Sequence, residues 1–289
     1  MKCINSISVH CWGGLGSQLF TWAMAEYLNE KFPRKHIKII FHSGGVTKRS
    51  PAIDFLASKF EIKIQDDYSS IYNLNEKKIS RKLTYIKILK YILKSTFFVL
   101  EANSTVERDR IKPWTMVLRG HYSYNQISDQ VLNNILNEIY SHKGIKLSSK
   151  AKHKSMLGVH YRLGDLLELP NKTYVKPYIL SEVIIKIMQL NELNQIIVYS
   201  ENSNSTRKIL ENLIPDSSSY KESEIWDTLL DLLQVEYFIG TNSKISIWIT
   251  AFRVLMDINS NNALPISMTE NIEAVFPRIE FPKNITYYE

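Results

Sequence analysis

The chain has 289 residues, of which 44% are hydrophobic and 22% are charged, and its formal net charge is +7 at pH 7. This composition is that of a folded protein, which excludes extensive disorder, and the length is typical of two domains. The positive charge fits a phosphorylated small molecule, a nucleic acid or an anionic membrane surface as a partner. Nucleic acid is disfavoured because the sequence contains no helix-turn-helix, zinc-finger spacing or RNP-like pattern.

The first residues lack the features of a signal peptide, because Ser8 and His10 interrupt the early apolar positions. Nothing in the chain approaches the roughly 18 consecutive apolar residues of a membrane span. Cys3 and Cys11 lack the CxxC spacing of a metal or redox site, so we interpret both as reduced thiols. We therefore expect a cytosolic protein.

The chain opens with an apolar strand at residues 7–12, a glycine-rich turn, GGLGSQ, and a helix for which Ser17 is the predicted cap. This order is typical of nucleotide-binding folds, because glycine lets backbone amides approach a ligand. However, Leu19 stands where the dinucleotide fingerprint requires its last glycine, and no phosphate-loop Lys-Ser/Thr follows. The turn is therefore either a simple tight turn, which its residues alone favour, or a ligand cradle.

A second strand is predicted at residues 36–41, and residues 76–100 form a basic amphipathic segment with lysines such as Lys87, Lys90 and Lys94. That segment is either a helix at an anionic membrane surface or a solvated helix packed on its own domain. A strand and turn at 117–124 and a helix at 129–140 follow. The polar run HKGIKLSSKAKHK then predicts a boundary between domains 1–150 and 151–289.

The second domain alternates predicted strands and helices, which indicates βαβ units and a parallel sheet. The strands are at residues 157–162, 195–200 and 237–241, and the helices at 180–190, 205–213, 225–234 and 247–255.

The stretch LGVHYRLGD, residues 157–165, reads as a half-buried strand that ends in His160, Arg162 and Asp165. Ligands of open α/β sheets bind beyond the carboxyl ends of the strands, and the planar fork of arginine suits a diphosphate. An anionic ligand is the functional interpretation. In the structural alternative, Arg162 and Asp165 only pair with each other and brace the turn.

Several chemistries are excluded by missing motifs. The sequence has no GxSxG elbow and no HExxH, and its seven histidines lack metal-ligand spacing. It also lacks an Asp-x-Asp pair, the usual metal anchor of one glycosyltransferase architecture. A site without metal, built on arginine and backbone amides, remains.

Five motifs in order resemble those of the α-1,2-fucosyltransferases of glycosyltransferase family eleven, from the first strand to about Arg253. GGLGSQLFTWA is similar to GGLGNQxFQYA, LRGHYSY to LxGYxQ, HYRLGDL to HxRRGDY, YSEN to a strand ending in Ser-Asp-Asp, and IGTNSKISIW to IxxNSxFSxW. The resemblance implies the GT-B fold, an α/β architecture of two facing Rossmann-like domains with parallel sheets. It implies that residues 1–150 form the acceptor side and that residues 151–289 bind the GDP-sugar. It also implies transfer of a 6-deoxyhexose, L-fucose first of all, from a GDP-sugar to a glycan hydroxyl. The transfer would proceed with inversion, in an α-1,2 linkage and without a metal or cofactor, for surface polysaccharide (O-antigen) synthesis.

Carried over position by position, the resemblance implies a donor site centred on Arg162, which would grip the β-phosphate, with Asp165 beside it. The implied donor-binding residues are Gly14, Gly16, Ser17, Gln18, His160, Asp227, Asn242, Ser243 and Ser246. Asp227 would meet the guanine and the two serines of the late motif would meet the phosphates. Asp165, Glu26 and His121 are candidates for the base or acceptor contacts, and no spacing argument ranks them.

The chain departs from the family pattern where Leu163 replaces a second arginine, Leu166 a tyrosine and Ser17 an asparagine. These changes leave open a related GDP-deoxysugar, such as GDP-colitose, as the donor. A further alternative is a nucleotide- or glycan-binding protein without turnover. The expected partners are a GDP-sugar and a glycan or lipid-linked oligosaccharide, with peripheral contact at the inner face of the inner membrane.

Overall fold

The computed structural model describes residues 5–43, 50–65, 92, 98–145, 153–163, 174–256, 261–276 and 285–289. The chain divides into two compact units, Met1–Val131 and Leu132–Glu289. The predicted domain boundary between residues 150 and 151 lies outside the described residues. So do Cys3, Asp165, Leu166 and residues 76–91 and 93–97 of the basic segment.

The first unit contains a parallel sheet of five strands in the order β3-β2-β1-β5-β4. The strands are β1 (Ser6–Trp12), β2 (His36–His42), β3 (Glu61–Gln65), β4 (Val99–Glu101) and β5 (Val117–Arg119). Helix α1 (Leu15–Lys31) follows β1, a 3-10 turn (Asp54–Ser58) precedes β3, and α2 (Thr105–Asp109) follows β4.

Helix α1 begins earlier than the sequence predicted. Gly13 has φ +91°, so the chain turns immediately after β1, and Gly14 becomes the N-cap. The amides of Ser17 and Gln18 both donate to the carbonyl of Gly14, at 2.9 and 3.2 Å. The prediction that Ser17 caps the helix is therefore wrong: Ser17 lies inside the first turn.

The second unit contains a parallel sheet of six strands in the order β11-β10-β9-β6-β7-β8. The strands are β6 (His153–His160), β7 (Gln195–Tyr199), β8 (Ser218–Lys221), β9 (Val235–Gly240), β10 (Asn261–Pro265) and β11 (Ile285–Tyr288). The helices are α3 (Asp129–Lys143), which starts in the first unit, α4 (Pro177–Asn191), α5 (Ser203–Leu210), α6 (Ile225–Leu232), α7 (Lys244–Leu255) and α8 (Thr269–Val275), with a 3-10 turn at Ile266–Met268. The prediction of two α/β domains with parallel sheets is confirmed.

Strand β6 is more buried than its alternating pattern predicted. Gly158 and Val159 lie on opposite faces of the sheet, and both are buried. His160, the last residue of the strand, is buried as well. The reason is that β6 is a central strand, paired on both sides, in a sheet of a type that is usually covered on both faces. A side chain at Gly158 would place its Cβ 2.6 Å from the Leu232 side chain, so glycine is required for this packing. The half-buried strand of the sequence prediction is therefore corrected to one that is buried over its carboxyl-terminal half, residues 157–160, while His153 and Lys154 are exposed.

In each sheet the strand order reverses at one place. In the first unit the chain runs outward from β1 through β2 to β3. It then crosses to the other side of β1, where β4 forms the edge and β5 lies between β4 and β1. In the second unit it runs from β6 to β8 and then returns beside β6 as β9. Such switch points leave a crevice beyond the carboxyl ends of the two strands, where ligands of open α/β sheets bind.

Across the part of the chain that the structure describes, no helix combines the length and the apolar character needed to cross a membrane.

Candidate functional site

The switch point between β6 and β9 brings together most of the residues that the sequence predicted for the second domain. His160 ends β6 and lies in register with Gly240, which ends β9. Arg162 follows the first strand, and the segment 241–243 follows the second and leads into α7. Because both strands end at the same level, these two segments lie side by side.

Thr241 joins the two strand ends. Its hydroxyl accepts a hydrogen bond from the Arg162 amide at 3.0 Å and donates one to the His160 carbonyl at 2.9 Å. Thr241 is only 1% exposed, so water does not compete for these bonds. The backbone that carries Arg162 is therefore held against β9. Thr241 was not among the residues predicted from the sequence, because it occupies a variable position of the late motif at residues 239–248. The sequence indicates this residue only by placing a hydroxyl side chain directly after an apolar strand.

His160 is buried and uncharged. Its Nδ1 lies 3.1 Å from the hydroxyl of Ser246 in the first turn of α7. Burial, and then the charge of Arg162, lowers the pKa of His160 to about 3, so the imidazole is neutral at pH 7. A Cβ at Gly240 would lie 2.6 Å from the Cβ of Ser246, so glycine allows the strand end and the helix to approach this closely.

The start of α7 faces the same switch point. Ser243 is its N-cap, with the hydroxyl accepting from the Ile245 amide at 3.4 Å and the carbonyl accepting from the Ser246 amide at 3.0 Å. Asn242 lies just before it and accepts a hydrogen bond from the Ser267 hydroxyl at 2.8 Å. A helix of 12 residues carries a partial positive charge at this end, which favours an anion. Arg162 adds a full positive charge nearby.

Asp227, predicted to contact guanine, lies in the first turn of α6, which follows the carboxyl end of β8. Its side chain is 56% exposed and forms an ion pair with Lys143 Nζ at 3.5 Å. Its contact with a nucleobase stays a prediction.

The glycine loop of the first unit, with Gly14, Gly16 and Ser17, lies at the carboxyl end of β1. The side-chain amide of Gln18 is buried there: it donates to the carbonyls of Gly13 and Ser50, both at 3.0 Å, and accepts from the Ala52 amide at 2.7 Å. Both amide hydrogens of Gln18 are thus used within the protein. In this structure Gln18 fastens the loop, and a direct donor contact stays a prediction.

The two described base candidates differ in environment. Glu26 is buried in α1, where it pairs with Lys59 Nζ at 2.7 Å and accepts from the Trp22 indole at 2.8 Å. Its position is 11 residues after the start of α1, about 16 Å along the helix axis from the carboxyl edge of the sheet. His121 instead is exposed at that edge, just after β5. The geometry therefore gives His121 the better access to a ligand.

Within the described ranges, no group of three or more His, Cys, Asp or Glu side chains is arranged to hold a metal ion. Independence from metals stays a prediction, to be tested by chelation.

The sequence matches no protein-family model and no curated protein. Among solved structures, the chain is similar to the E. coli heptosyltransferase WaaC with ADP, with TM-score 0.48, 8% identity and coverage of 98% of this chain and 92% of that one. It is similar to E. coli ADP-heptose lipopolysaccharide heptosyltransferase II, with TM-score 0.47, 10% identity and coverage of 98% and 89%. It is also similar to POFUT1 in complex with GDP-fucose, with TM-score 0.38, 10% identity and coverage of 86% and 94%. At these levels of identity the likeness concerns the fold alone.

Proposed function

We propose that this chain is a GT-B glycosyltransferase that transfers a 6-deoxyhexose, L-fucose first of all, from a GDP-sugar to a glycan hydroxyl. The transfer is inverting, forms an α-1,2 linkage, requires no metal and serves surface polysaccharide synthesis. The observation that carries the proposal is the convergence of Arg162 and the start of α7 at the switch point of the second sheet. The motif resemblance supports the choice of donor and linkage.

The chemical task of such a site is to stabilise a leaving diphosphate. Negative charge builds up on the β-phosphate as the glycosidic bond breaks, and groups that are already oriented stabilise it without reorganising. Arg162 can donate two parallel hydrogen bonds to phosphate oxygens. The amides at the start of α7 supply further donors, and Ser243 and Ser246 lie beside them.

His160 has a different role in this proposal. Because it is neutral, it adds no competing charge next to Arg162. Its hydrogen bond to Ser246 keeps the end of β6 and the start of α7 together. We infer that His160 contacts the nucleoside and that its main contribution is to shape the site.

A related GDP-deoxysugar is the second candidate donor, because of Leu163. This residue replaces the second arginine of the family pattern, and its side chain is buried, with 4% exposed, in the hydrophobic core of the unit. The donor site therefore has one cation fewer than the family pattern implies. Weaker donor binding, or a different donor sugar such as that of GDP-colitose, follows from this difference.

The acceptor in this proposal is a glycan or lipid-linked oligosaccharide, met at the inner face of the inner membrane. The basic segment that motivates membrane contact lies almost entirely outside the described residues. This part of the proposal therefore rests on the lysine pattern of the sequence.

The function is tested by measuring nucleotide release from GDP-fucose, GDP-colitose, GDP-mannose and ADP-heptose with a panel of glycan acceptors, in excess EDTA. We expect GDP release, dependent on an acceptor, from GDP-fucose or GDP-colitose. Release of GDP that stops in EDTA and returns with Mn²⁺ would contradict the metal-independent mechanism. Binding of GDP with no release from any GDP-sugar would support a non-catalytic binding protein instead.

We expect Thr241→Val to lower kcat/KM for the GDP-sugar about tenfold, because losing a hydrogen bond of roughly 1 to 1.5 kcal/mol loosens the backbone that carries Arg162. Thr241→Ser keeps the hydroxyl and should retain most activity. Steady-state kinetics checks both variants. The matched control is Thr250→Val, whose buried hydroxyl has no hydrogen-bond partner among the described residues. Equal activity of Thr241→Val and Thr250→Val would rule out a positioning role for Thr241.

A further inference from the structure

A cavity of about 280 Å³, here named the α1 cavity, lies in the first unit between α1, α2 and residues 122–131. Its floor is apolar and buried, and is formed by Phe20, Ala23, Met24, Ile127 and Val131. Ala23 and Met24 follow Phe20 by three and four residues, so all three lie on one face of α1. An apolar cavity of roughly 150 Å³ holds benzene, so the α1 cavity has room for two fused rings.

One wall of the α1 cavity is a turn with an uncommon backbone conformation. Tyr122 has φ +54°, in the left-handed region that residues other than glycine rarely adopt. Its hydroxyl lies 3.0 Å from the carbonyl oxygens of both His10 and Leu118 and shares its hydrogen between them. The Tyr122 carbonyl accepts from the backbone amide and from Nδ2 of Asn125, both at 3.1 Å. Backbone outliers that are held in this way cluster at ligand sites.

Asn125 presents a buried acceptor in this wall. The residue lines the α1 cavity and is only 4% exposed. Nδ2 donates to the carbonyls of Ala102 at 2.8 Å and Tyr122 at 3.1 Å, and these two acceptors fix the orientation of the side-chain amide. Oδ1 is buried and accepts no hydrogen bond from the described residues. A buried acceptor without a donor costs free energy, which a ligand with an N–H or O–H group removes.

Arg108 closes another side of the α1 cavity. Its guanidinium carbon lies 4.4 Å from the ring centroid of Tyr27 on α1, an arrangement in which the cation is attracted to the ring face. Nη1 donates to the Gln126 carbonyl, and Nε and Nη2 each lie 3.3 Å from Oδ1 of Asp109. The charge of Arg108 therefore has partners within the protein.

The charges around the α1 cavity do not favour an anion. Its lining contains one cation, Arg108, and one carboxylate, Glu30. Asp109 pairs with Arg108, Asp129 lies in the first turn of α3, and Lys31 follows Glu30 on α1. Three carboxylates thus offset two cations and the partial positive charge at the start of α3. Because the floor is apolar, an unpaired charge on a ligand is costly, and an uncharged ligand fits best.

We propose that the α1 cavity binds a small, uncharged aromatic compound of two fused rings. The rings pack on the apolar floor, and one N–H or O–H group of the compound donates to Oδ1 of Asn125. This inference goes beyond the proposed function and does not depend on it, because none of the residues proposed for donor binding or for the base lines the α1 cavity.

The test compares two isosteric probes, indole and benzofuran, which differ in that only indole carries an N–H donor. Each is titrated against the full chain by saturation-transfer NMR. We expect indole to bind saturably with a Kd below about 1 mM, which the usual range of affinity per non-hydrogen atom allows for a ligand of this size. Benzofuran should bind about five- to tenfold more weakly, because it leaves Oδ1 of Asn125 without a donor.

A substitution that fills the α1 cavity locates the binding. Ala23→Leu should weaken indole binding at least about tenfold, because the added side chain occupies the space of the rings. The matched control is Val106→Leu, at a position that is 65% exposed on α2 of the same unit, and it should bind indole as the unchanged protein does. If Ala23→Leu melts at a lower temperature, Ala23→Val, which adds less volume, replaces it and should also weaken binding.

Three results overturn the inference. The first is that indole does not bind saturably, or binds the folded Ala23 variant as tightly as the unchanged protein. The second is equal affinity for benzofuran and indole, which shows that no donor is recognised. The third is tighter binding of indole-2-carboxylate than of indole, which shows that Arg108 and the start of α3 select an anion.

Discussion

Replacing Arg162 with alanine is expected to slow GDP-sugar turnover by about a hundred- to a thousandfold. The reason is that a preorganised donor to developing negative charge contributes roughly 2.7 to 4 kcal/mol to transition-state stabilisation. The substitution keeps the Arg162 amide, and with it the hydrogen bond to Thr241. We therefore expect the melting temperature to change little. GDP release under saturating donor, together with thermal melting, measures both quantities.

Two further variants sharpen this experiment. Arg162→Lys should not restore activity, because a point charge cannot reproduce the bidentate fork of the guanidinium. Arg207→Ala is the matched control: its side chain is 67% exposed on α5, and turnover should stay unchanged. A folded Arg162→Ala protein that keeps more than about a tenth of the activity would contradict the phosphate-clamp role. Lower stability with near-normal turnover would indicate that Arg162 only braces the turn.

Replacing Arg253 with methionine is expected to destabilise the second unit by about 3 to 5 kcal/mol, the effect of breaking a buried charged network. Arg253 is fully buried in α7. Its guanidinium donates to the Val235 carbonyl at 2.6 Å, to the Glu236 carbonyl at 2.9 Å and to the Leu232 carbonyl at 3.1 Å. Nε donates to the Asn262 side chain at 2.7 Å. One side chain therefore joins the end of α6 to β9 and β10.

Burial lowers the pKa of Arg253 to about 9, which still leaves the group charged at pH 7. The Arg253→Met variant removes the charge but leaves backbone carbonyls without their donor, and each such loss costs about 1 to 3 kcal/mol. Arg253→Lys should also destabilise, because one ammonium cannot reach all these acceptors. Urea denaturation followed by tryptophan fluorescence measures the loss, with Thr250→Val on the same helix as the control. A loss below about 1 kcal/mol for Arg253→Met would show that the network contributes little net stability.

The elements with a clear apolar period were predictable from the sequence. Strands β1, β2, β5, β6, β7 and β9 and the longer helices were expected within a few residues of their observed bounds. Strands β3, β4, β8, β10 and β11 were not expected. β8 reads SSYK and β4 has only three residues, so neither carries a hydrophobic pattern of its own. Such strands form because a neighbouring strand supplies hydrogen-bond partners, and that pairing is a property of the whole sheet.

The candidate site shows the same division between local and tertiary information. The sequence by itself determined which residues lie at or beyond the strand ends, because His160, Arg162, Ser243 and Ser246 stand in local motifs next to apolar runs. Only the tertiary structure decided what these groups contact. The Arg162 amide meets Thr241, 79 positions away, and His160 meets Ser246, 86 positions away, because β6 and β9 are neighbours in the sheet and in this register. Likewise, Gln18 fastens a loop and Glu26 pairs with Lys59, since the partners of a buried polar group depend on packing, which has no local period in the sequence.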